Sequence, residues 1–237
     1  MAYHSHMLHT ITHGIANAKP PLLIAHGLFG SGRNWGVIAK RLSDERPVIA
    51  VDMRNHGSSL HSDDHSYTAL ADDLAEVIAA HGGQADVLGH SMGGKAAMVL
   101  ALEHAEMVNR LTVADIAPVS YSHSQQQYIN AMRTLDLSQI EGRAEAQAAL
   151  LPLVEDPTLA SFFTQSLDLK ARQWRLNLAA LEANMPQILS FPPIDACFTG
   201  PSLFLTGATS HYVTRDHRPQ IKALLCHAVS HTPPTTP

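Results

Sequence analysis

The chain has 237 residues, a formal charge of −5, and 45% hydrophobic against 16% charged residues. This composition excludes a disordered chain and gives no reason to expect nucleic-acid or membrane partners. The length fits one α/β domain with an insertion better than two independent domains, since single α/β domains commonly reach about 200 to 250 residues.

The cysteines and the N-terminus indicate a compartment. Cys197 and Cys226 lie far apart without any ligand spacing, so the sequence predicts neither a disulfide framework nor a zinc site, which is typical of a reducing environment. Residues 1–14 lack the basic start and apolar run of a secretory signal. No later apolar run approaches the ~18 residues of a membrane span. We therefore expect a cytoplasmic protein.

Four histidines alternate near the start of the chain: His4, His6, His9 and His13. Alternation is typical of one face of a strand, because successive strand side chains point to opposite faces. We therefore expect a strand here and no metal site.

Short apolar runs alternate with helical patterns along most of the chain, which indicates a mostly parallel sheet with helices on its faces. The predicted strands are residues 21–25, 48–52, 86–89, 111–114, 202–206 and, with a weaker pattern, 226–230. Apolar residues at three- and four-residue spacing predict helices at residues 34–42, 67–80, 92–103 and 215–225. The predicted fold class is α/β.

One segment, residues 122–191, interrupts the alternation with helical patterns and no strand-like run between them. We interpret it as a helical cap inserted between a first core part, residues 1–121, and a last core part, residues 192–237. Asp156 followed by Pro157 predicts a helix start within it. The cap also has an apolar face, which either packs on the core or lines a substrate pocket. This face consists of Phe162, Phe163, Trp174 and Leu178.

The strongest local signal is the GxSxG sequence of residues 89–93, directly after a predicted strand and directly before a predicted helix. A serine on such a sharp turn is exposed, and the helix N-terminus favours developing negative charge. Ser91 is therefore the predicted nucleophile, and the backbone N–H of Met92 is a predicted oxyanion donor.

A second glycine turn, His26-Gly27-Leu28-Phe29-Gly30, follows the first parallel strand. A hydrolase with a GxSxG turn needs a second backbone N–H for the oxyanion at this place, and Leu28 is the predicted donor. A tight turn after a strand is the purely structural alternative. His26 is interpreted as a residue that orders the loop.

With these motifs the chain resembles the α/β-hydrolase family, and within it bacterial esterases of the abhydrolase group. The shared stretches are HGLFGS at residues 26–31, VDMRNHGSS at 51–59, GHSMGGKAAM at 89–98 and DIAPVSY at 115–121. The resemblance implies an α/β-hydrolase fold with a helical cap, hydrolysis of small carboxylic esters or thioesters, and no metal or organic cofactor.

The catalytic acid of most α/β-hydrolases follows the strand that here reads SLFLT, but residues 207–210 read GATS and hold no carboxylate. Asp115 ends the preceding strand and can reach the same edge of the sheet. The resemblance puts the acid of this subgroup at Asp115. The alternative is that Asp115 only caps the next segment.

The catalytic histidine comes last in chain order in this fold. In the family it lies in a GHW-like loop after the final strand, whereas here that region reads CHAVSH and then TPPTTP. The candidates are His231 first, then His227 and His211. The alternative is that the base is absent and that the last core part is incomplete, which would leave the protein nearly inert.

The leading hypothesis is a serine hydrolase that forms an acyl-enzyme on Ser91. One rival is a lyase-like enzyme of the menaquinone pathway with a similar GxSxG turn, which the DMRNHG sequence argues against. The other rival is a catalytically inactive remnant that binds without turnover. Neither the natural substrate nor the oligomeric state follows from the residues.

Overall fold

The apolar runs of the sequence form the strands of one twisted sheet in the computed structural model, which describes residues 7–233. The strands are β1 (Thr10–His13), β2 (Leu22–Ala25), β3 (Val48–Val51), β4 (Ala85–His90), β5 (Val108–Ala114), β6 (Leu167–Asp168), β7 (Gln173–Trp174), β8 (Ser202–Leu205) and β9 (Ala228–His231). Seven of them form the main sheet in the order β1-β3-β2-β4-β5-β8-β9. All its pairings are parallel except that of β1 with β3.

The helices lie on both faces of this sheet and in the cap. They are α1 (Gly36–Leu42), α2 (Tyr67–Ala80), α3 (Met92–Glu103), α4 (Gln126–Thr134), α5 (Arg143–Val154), α6 (Pro157–Thr164), α7 (Leu178–Ala183), α8 (Met185–Leu189) and α9 (Arg218–Leu224). In the part of the chain that the structure describes, no helix is both long and apolar enough to cross a membrane.

The α/β architecture predicted from the sequence is confirmed, including each predicted strand and helix of the core. The cap helix that begins after Asp156 is also confirmed, since its carboxylate accepts hydrogen bonds from the N–H groups of Thr158 and Leu159. The prediction of a wholly helical cap is wrong, because β6 and β7 form a short antiparallel hairpin. Strands of two residues are too short to produce a periodic pattern.

The predicted histidine strand near the N-terminus lies partly within the described residues. His13 ends β1 and His9 precedes this strand, whereas His4 and His6 lie outside the described residues. The outer ends of the two predicted core parts, residues 1–6 and 234–237, also lie outside them.

The predicted absence of a disulfide is wrong, because the structure joins Cys197 to Cys226. The segment before β8 runs beside the segment before β9. The Phe198 N–H donates a hydrogen bond to the Leu224 carbonyl, and the Cys226 N–H donates one to the Phe198 carbonyl. This tertiary pairing brings together two cysteines that are 29 positions apart. The predicted cytoplasmic location therefore loses the support of free thiols.

Two buried histidines hold the loop that follows β2. His26 Nδ1–H donates to the Gly27 carbonyl at 2.8 Å, and its Nε2 accepts from the Met53 N–H at 2.9 Å. His56 Nδ1–H donates to the Arg54 carbonyl, and its Nε2 accepts from the Phe29 N–H at 3.1 Å. Both imidazoles are therefore neutral, and both nitrogens of each are used by the backbone.

The DMRNHG sequence after β3 supplies most of the remaining supports of this loop. Asp52 accepts hydrogen bonds from the N–H groups of Gly32 and Ser58. Arg54 forms a buried two-pronged ion pair with Asp73 on α2, with N···O distances of 2.6 and 2.8 Å. This sequence string thus has a structural cause, since the side chains of Asp52 and Arg54 both hold neighbouring segments in place.

Burial also sets the charge state of these histidines. It lowers the pKa of His26 to about 4, and the pKa values of His56 and His65 each to about 3. His65 accepts a hydrogen bond from Asn55 Nδ2 through Nδ1, and its Nε2 lies 3.3 Å from the sulfur of Met92. Neutral imidazoles therefore connect the loop after β3 to the start of α3.

We expect the free energy of unfolding to fall as the pH drops from 6.5 towards 4. In that range the unfolded imidazoles bind protons and the folded ones do not, so the stabilisation is complete above pH 6.5 and is lost on acidification. For His26 alone the loss by pH 4 is about 3 kcal/mol, at ~1.4 kcal/mol per pKa unit. Denaturant titrations at several pH values measure it.

A variant with a matched control separates this effect from general acid sensitivity. His56→Gln should reduce the slope of stability against pH, because one neutral imidazole is removed. His211→Gln, at an exposed position away from these rings, should leave the slope as in the wild type. Equal slopes in all three proteins would contradict the assignment.

Candidate active site

Ser91 occupies the sharp turn between β4 and α3 and has a left-handed backbone conformation, with φ 51° and ψ −119°. Few non-glycine residues adopt a positive φ, and at functional sites such strain persists only when the surroundings enforce it. The turn is tight enough that a Cβ atom at Gly89 would lie 2.2 Å from the Gly93 carbonyl oxygen. Small residues on both sides of Ser91 are therefore a steric requirement.

The hydroxyl of Ser91 faces a cavity of about 390 Å³ between the sheet and the cap. It makes no hydrogen bond to the N-terminal N–H groups of α3. Its own backbone N–H donates to the carbonyl of Ala114 at 3.1 Å, which fixes the turn against the end of β5.

The loop after β2 lies against this turn. A Cβ atom at Gly93 would lie 2.4 Å from the carbonyl oxygen of Ala25 and 2.5 Å from that of His26, so the close approach requires glycine. Both predicted oxyanion donors, Leu28 and Met92, line the cavity next to Ser91. Among residues 7–233, no protein acceptor is hydrogen-bonded to either backbone N–H. The two N–H groups are thus available to a ligand.

Asp115 follows β5 directly and also has a positive φ, 56°. Its N–H donates to the Leu205 carbonyl at the end of β8, and its Oδ1 accepts a 3.4 Å hydrogen bond from the Gly207 N–H. Ser91 and Asp115 are therefore held at the carboxyl ends of adjacent strands. The carboxylate is half-buried beside the cavity but does not line it.

The three candidate bases do not join this arrangement. His211, His227 and His231 are exposed, and none of them lines the cavity. His231 ends β9, three strands from β4 in the sheet, which corresponds to about 14 Å at the usual strand spacing.

The histidines that do line the cavity are His26, His90 and His123. His26 is engaged by the backbone, and burial lowers the pKa of His90, which packs against Trp35. His123 packs edge-on against two tyrosines at the start of the cap. None of these three rings is hydrogen-bonded to Ser91 in the described chain.

The cap provides one wall of the cavity and resolves the two interpretations of its apolar face. Phe162 and Phe163 line the cavity, as the pocket interpretation predicts. Trp174 instead donates a hydrogen bond to the Met132 carbonyl within the cap, and Leu178 packs on the core. The face is therefore divided between cavity-lining and packing residues.

Lys95, one turn after Ser91 on α3, lines the cavity and is fully buried. The sequence-based site did not include it. A signal was present, since every neighbour of Lys95 on this short, apolar helix is small or hydrophobic and leaves no solvated face for a charge.

The chain is similar to proteins of known fold and activity. A model of the alpha/beta hydrolase fold family matches residues 20–235. The chain is 36% identical over 225 residues to the sn-1-specific diacylglycerol lipase ABHD11 of Danio rerio, covering 90% of this chain and 71% of that protein. It is 33% identical over 213 residues to Esterase YbfF of Escherichia coli (strain K12), covering 89% of this chain and 83% of that protein.

A solved structure agrees with these relatives. A marine microorganism esterase superimposes with a TM-score of 0.91 at 36% identity, covering 98% of this chain and 92% of that one. The sheet order, the strained serine turn, the family match and these similarities lead to one conclusion: the chain belongs to the α/β hydrolase fold family.

Proposed function

We propose that the protein hydrolyses small carboxylic esters through an acyl-enzyme on Ser91. The observation that carries the proposal is the strained Ser91 turn, which presents the hydroxyl to a largely apolar cavity lined also by Leu28 and Met92, whose N–H groups have no partner among residues 7–233. The esterases and lipases among its relatives support the same reaction class.

The chemistry follows from these positions. The Ser91 oxygen attacks the ester carbonyl, and the Leu28 and Met92 N–H groups stabilise the negative charge that develops on the carbonyl oxygen. The N-terminus of α3 adds a favourable dipole at the same place. Collapse of the tetrahedral intermediate breaks the bond to the leaving oxygen, which takes up the proton lost by Ser91 and departs as the alcohol, and water then hydrolyses the acyl-enzyme.

The cavity favours short to medium acyl chains, because it is small and its walls are mostly apolar and aromatic. Thioesters are the second substrate class, since the oxyanion arrangement stabilises the same tetrahedral intermediate for a sulfur leaving group. Asp115 is the proposed acid. The position of Asp115 at the end of the strand next to β4 supports this role, in which the carboxylate would orient and stabilise an imidazolium.

Proton transfer is the weak step of the arrangement. Within residues 7–233 no imidazole is hydrogen-bonded to the Ser91 hydroxyl, whose proton must be removed during attack. Loss of the histidine from a serine hydrolase lowers the rate by about 10⁶, and the remaining oxyanion hole and binding still give roughly 10³ to 10⁴ over water. A binding protein without turnover is therefore the second candidate function.

Ser91→Ala should abolish the protein-dependent hydrolysis of p-nitrophenyl butyrate, because no other group replaces the nucleophile. The measurement is the initial rate above the uncatalysed reaction. Ser43→Ala, at the end of α1 and outside the cavity, is the matched control and should retain the wild-type rate. Activity that survives in Ser91→Ala would refute the proposed nucleophile.

Added imidazole should accelerate the wild-type reaction, because a free imidazole can enter the cavity and accept the Ser91 proton. Imidazole also cleaves activated esters in solution, so Ser91→Ala with the same imidazole concentration provides the background. If the Ser91-dependent rate does not rise, either the base is already in place or the hydroxyl is not the nucleophile. The Ser91→Ala result distinguishes these two outcomes.

Asp115→Asn should slow the imidazole-assisted reaction, because a neutral amide cannot stabilise the imidazolium that forms. The ratio of kcat/KM with and without the substitution measures this contribution. Asp168→Asn, on the hairpin of the cap, is the control. Equal values for Asp115→Asn and the wild type would remove Asp115 from the catalytic machinery.

A further inference from the structure

The ammonium group of Lys95 is a buried charge that the proposed chemistry does not use. The residue is 1% exposed. No carboxylate among the residues that the structure describes forms an ion pair with it. A buried charge without a partner is strongly unfavourable, so other groups must compensate for the lost water.

Three backbone carbonyl oxygens provide this compensation. Lys95 Nζ donates to the carbonyls of Val119, Leu189 and Ser190 at 2.9, 2.9 and 2.6 Å. An ammonium has three N–H donors and no acceptor, so the three carbonyls satisfy it completely. The rings of Tyr67 and Tyr121 lie 5.8 and 4.9 Å from Nζ and add cation–π attraction.

The three carbonyls come from the two ends of the cap. Val119 lies where the chain leaves the core after β5, and Leu189 and Ser190 lie where it returns after α8. Two further hydrogen bonds join the same region: the Tyr121 N–H donates to the Leu189 carbonyl, and the Tyr67 hydroxyl donates to that of Ile188. One side chain on the nucleophile helix therefore connects both ends of the cap.

We propose that the Lys95 ammonium fastens the two ends of the cap to the nucleophile helix and thereby limits the length of acyl chain that the cavity admits. Lys95 lines the cavity together with Tyr67, Tyr121, Ile188 and Leu189, the residues that it holds or that lie beside it. Release of the cap ends would widen this wall. Lys95 is a positioning residue, and the inference about acyl chains rests on the proposed ester hydrolysis.

The proton of Lys95 offers a way to release the cap in the unmodified protein. Burial lowers the pKa of Lys95 to about 7, and a neutral amine has only two N–H donors for the three carbonyls. The titratable groups that face Nζ are the phenols of Tyr67 and Tyr121. Burial raises the pKa of Tyr121 to about 12 and raises that of Tyr67 further, so neither titrates near neutrality.

The kinetic test is the ratio of kcat/KM for p-nitrophenyl octanoate to that for p-nitrophenyl acetate. Ionisations of the catalytic groups affect both substrates and cancel in the ratio. In the wild type the ratio should rise about tenfold between pH 6 and 8.5, a factor that corresponds to about 1.4 kcal/mol. Lys95→Met should have a high ratio that does not change with pH, and Lys222→Met, an exposed control on α9, should behave as the wild type.

Amide exchange tests the connection without turnover. The Tyr121 N–H, which bonds to Leu189, should exchange about tenfold faster in Lys95→Met, since the loss of hydrogen bonds of ordinary strength loosens both ends. The Asp115 N–H, which bonds to Leu205 in the sheet, should keep its protection. If Lys95→Met does not fold, Lys95→Gln, which retains two donors, takes its place.

Binding separates this inference from the proposed function. The Ser91→Ala variant should bind methyl butanoate. Adding Lys95→Met to this variant should raise its affinity for methyl octanoate and leave its affinity for methyl butanoate unchanged. If no ester is hydrolysed by the wild type while these shifts occur, the proposed function fails and the role of Lys95 stands. If esters are hydrolysed but the octanoate ratio, the Tyr121 exchange and the binding preference do not change in Lys95→Met, the inference is overturned.

Discussion

The close contact of two backbone turns at the carboxyl edge of the sheet is the constraint on which the site depends. The start of the loop after β2 and the start of α3 approach so closely that glycine is required at Gly93. This contact brings Leu28 and Met92, whose N–H groups have no partner in the described part of the chain, to the same cavity as Ser91. The parallel order of β2, β4 and β5 brings the three chain segments to the same edge.

The supports of this contact explain why so much of the surrounding sequence is polar yet buried. His26 and His56 satisfy backbone groups of the loops they connect, and Arg54 is neutralised by Asp73. Each group is acceptable inside the protein because its hydrogen-bonding capacity is used. Rigidity at the edge of the sheet is thus obtained with neutral rings, the Asp52 carboxylate and the buried Arg54–Asp73 ion pair.

The features that were predictable from sequence have local causes. Each of these features depends on a few neighbouring residues, so the local sequence pattern is enough to predict it. They are the strands, the core helices, the helix start at Asp156 and the Ser91 turn. The α/β fold follows from their alternation. The positions of Leu28 and Met92 at the cavity follow once the order of the strands is known.

The features that were not predictable depend on distant segments. Cys197 and Cys226 meet only because β8 and β9 pair in parallel, and Lys95 is buried only because both ends of the cap cross α3. The disulfide has a further consequence for the sheet. It closes a loop of 29 positions, which in the chain-entropy description stabilises the fold by about 3 to 4 kcal/mol. Since β9 buries little and Val229 is 61% exposed, reduction by intracellular thiols would make this outer strand the first to separate from the sheet.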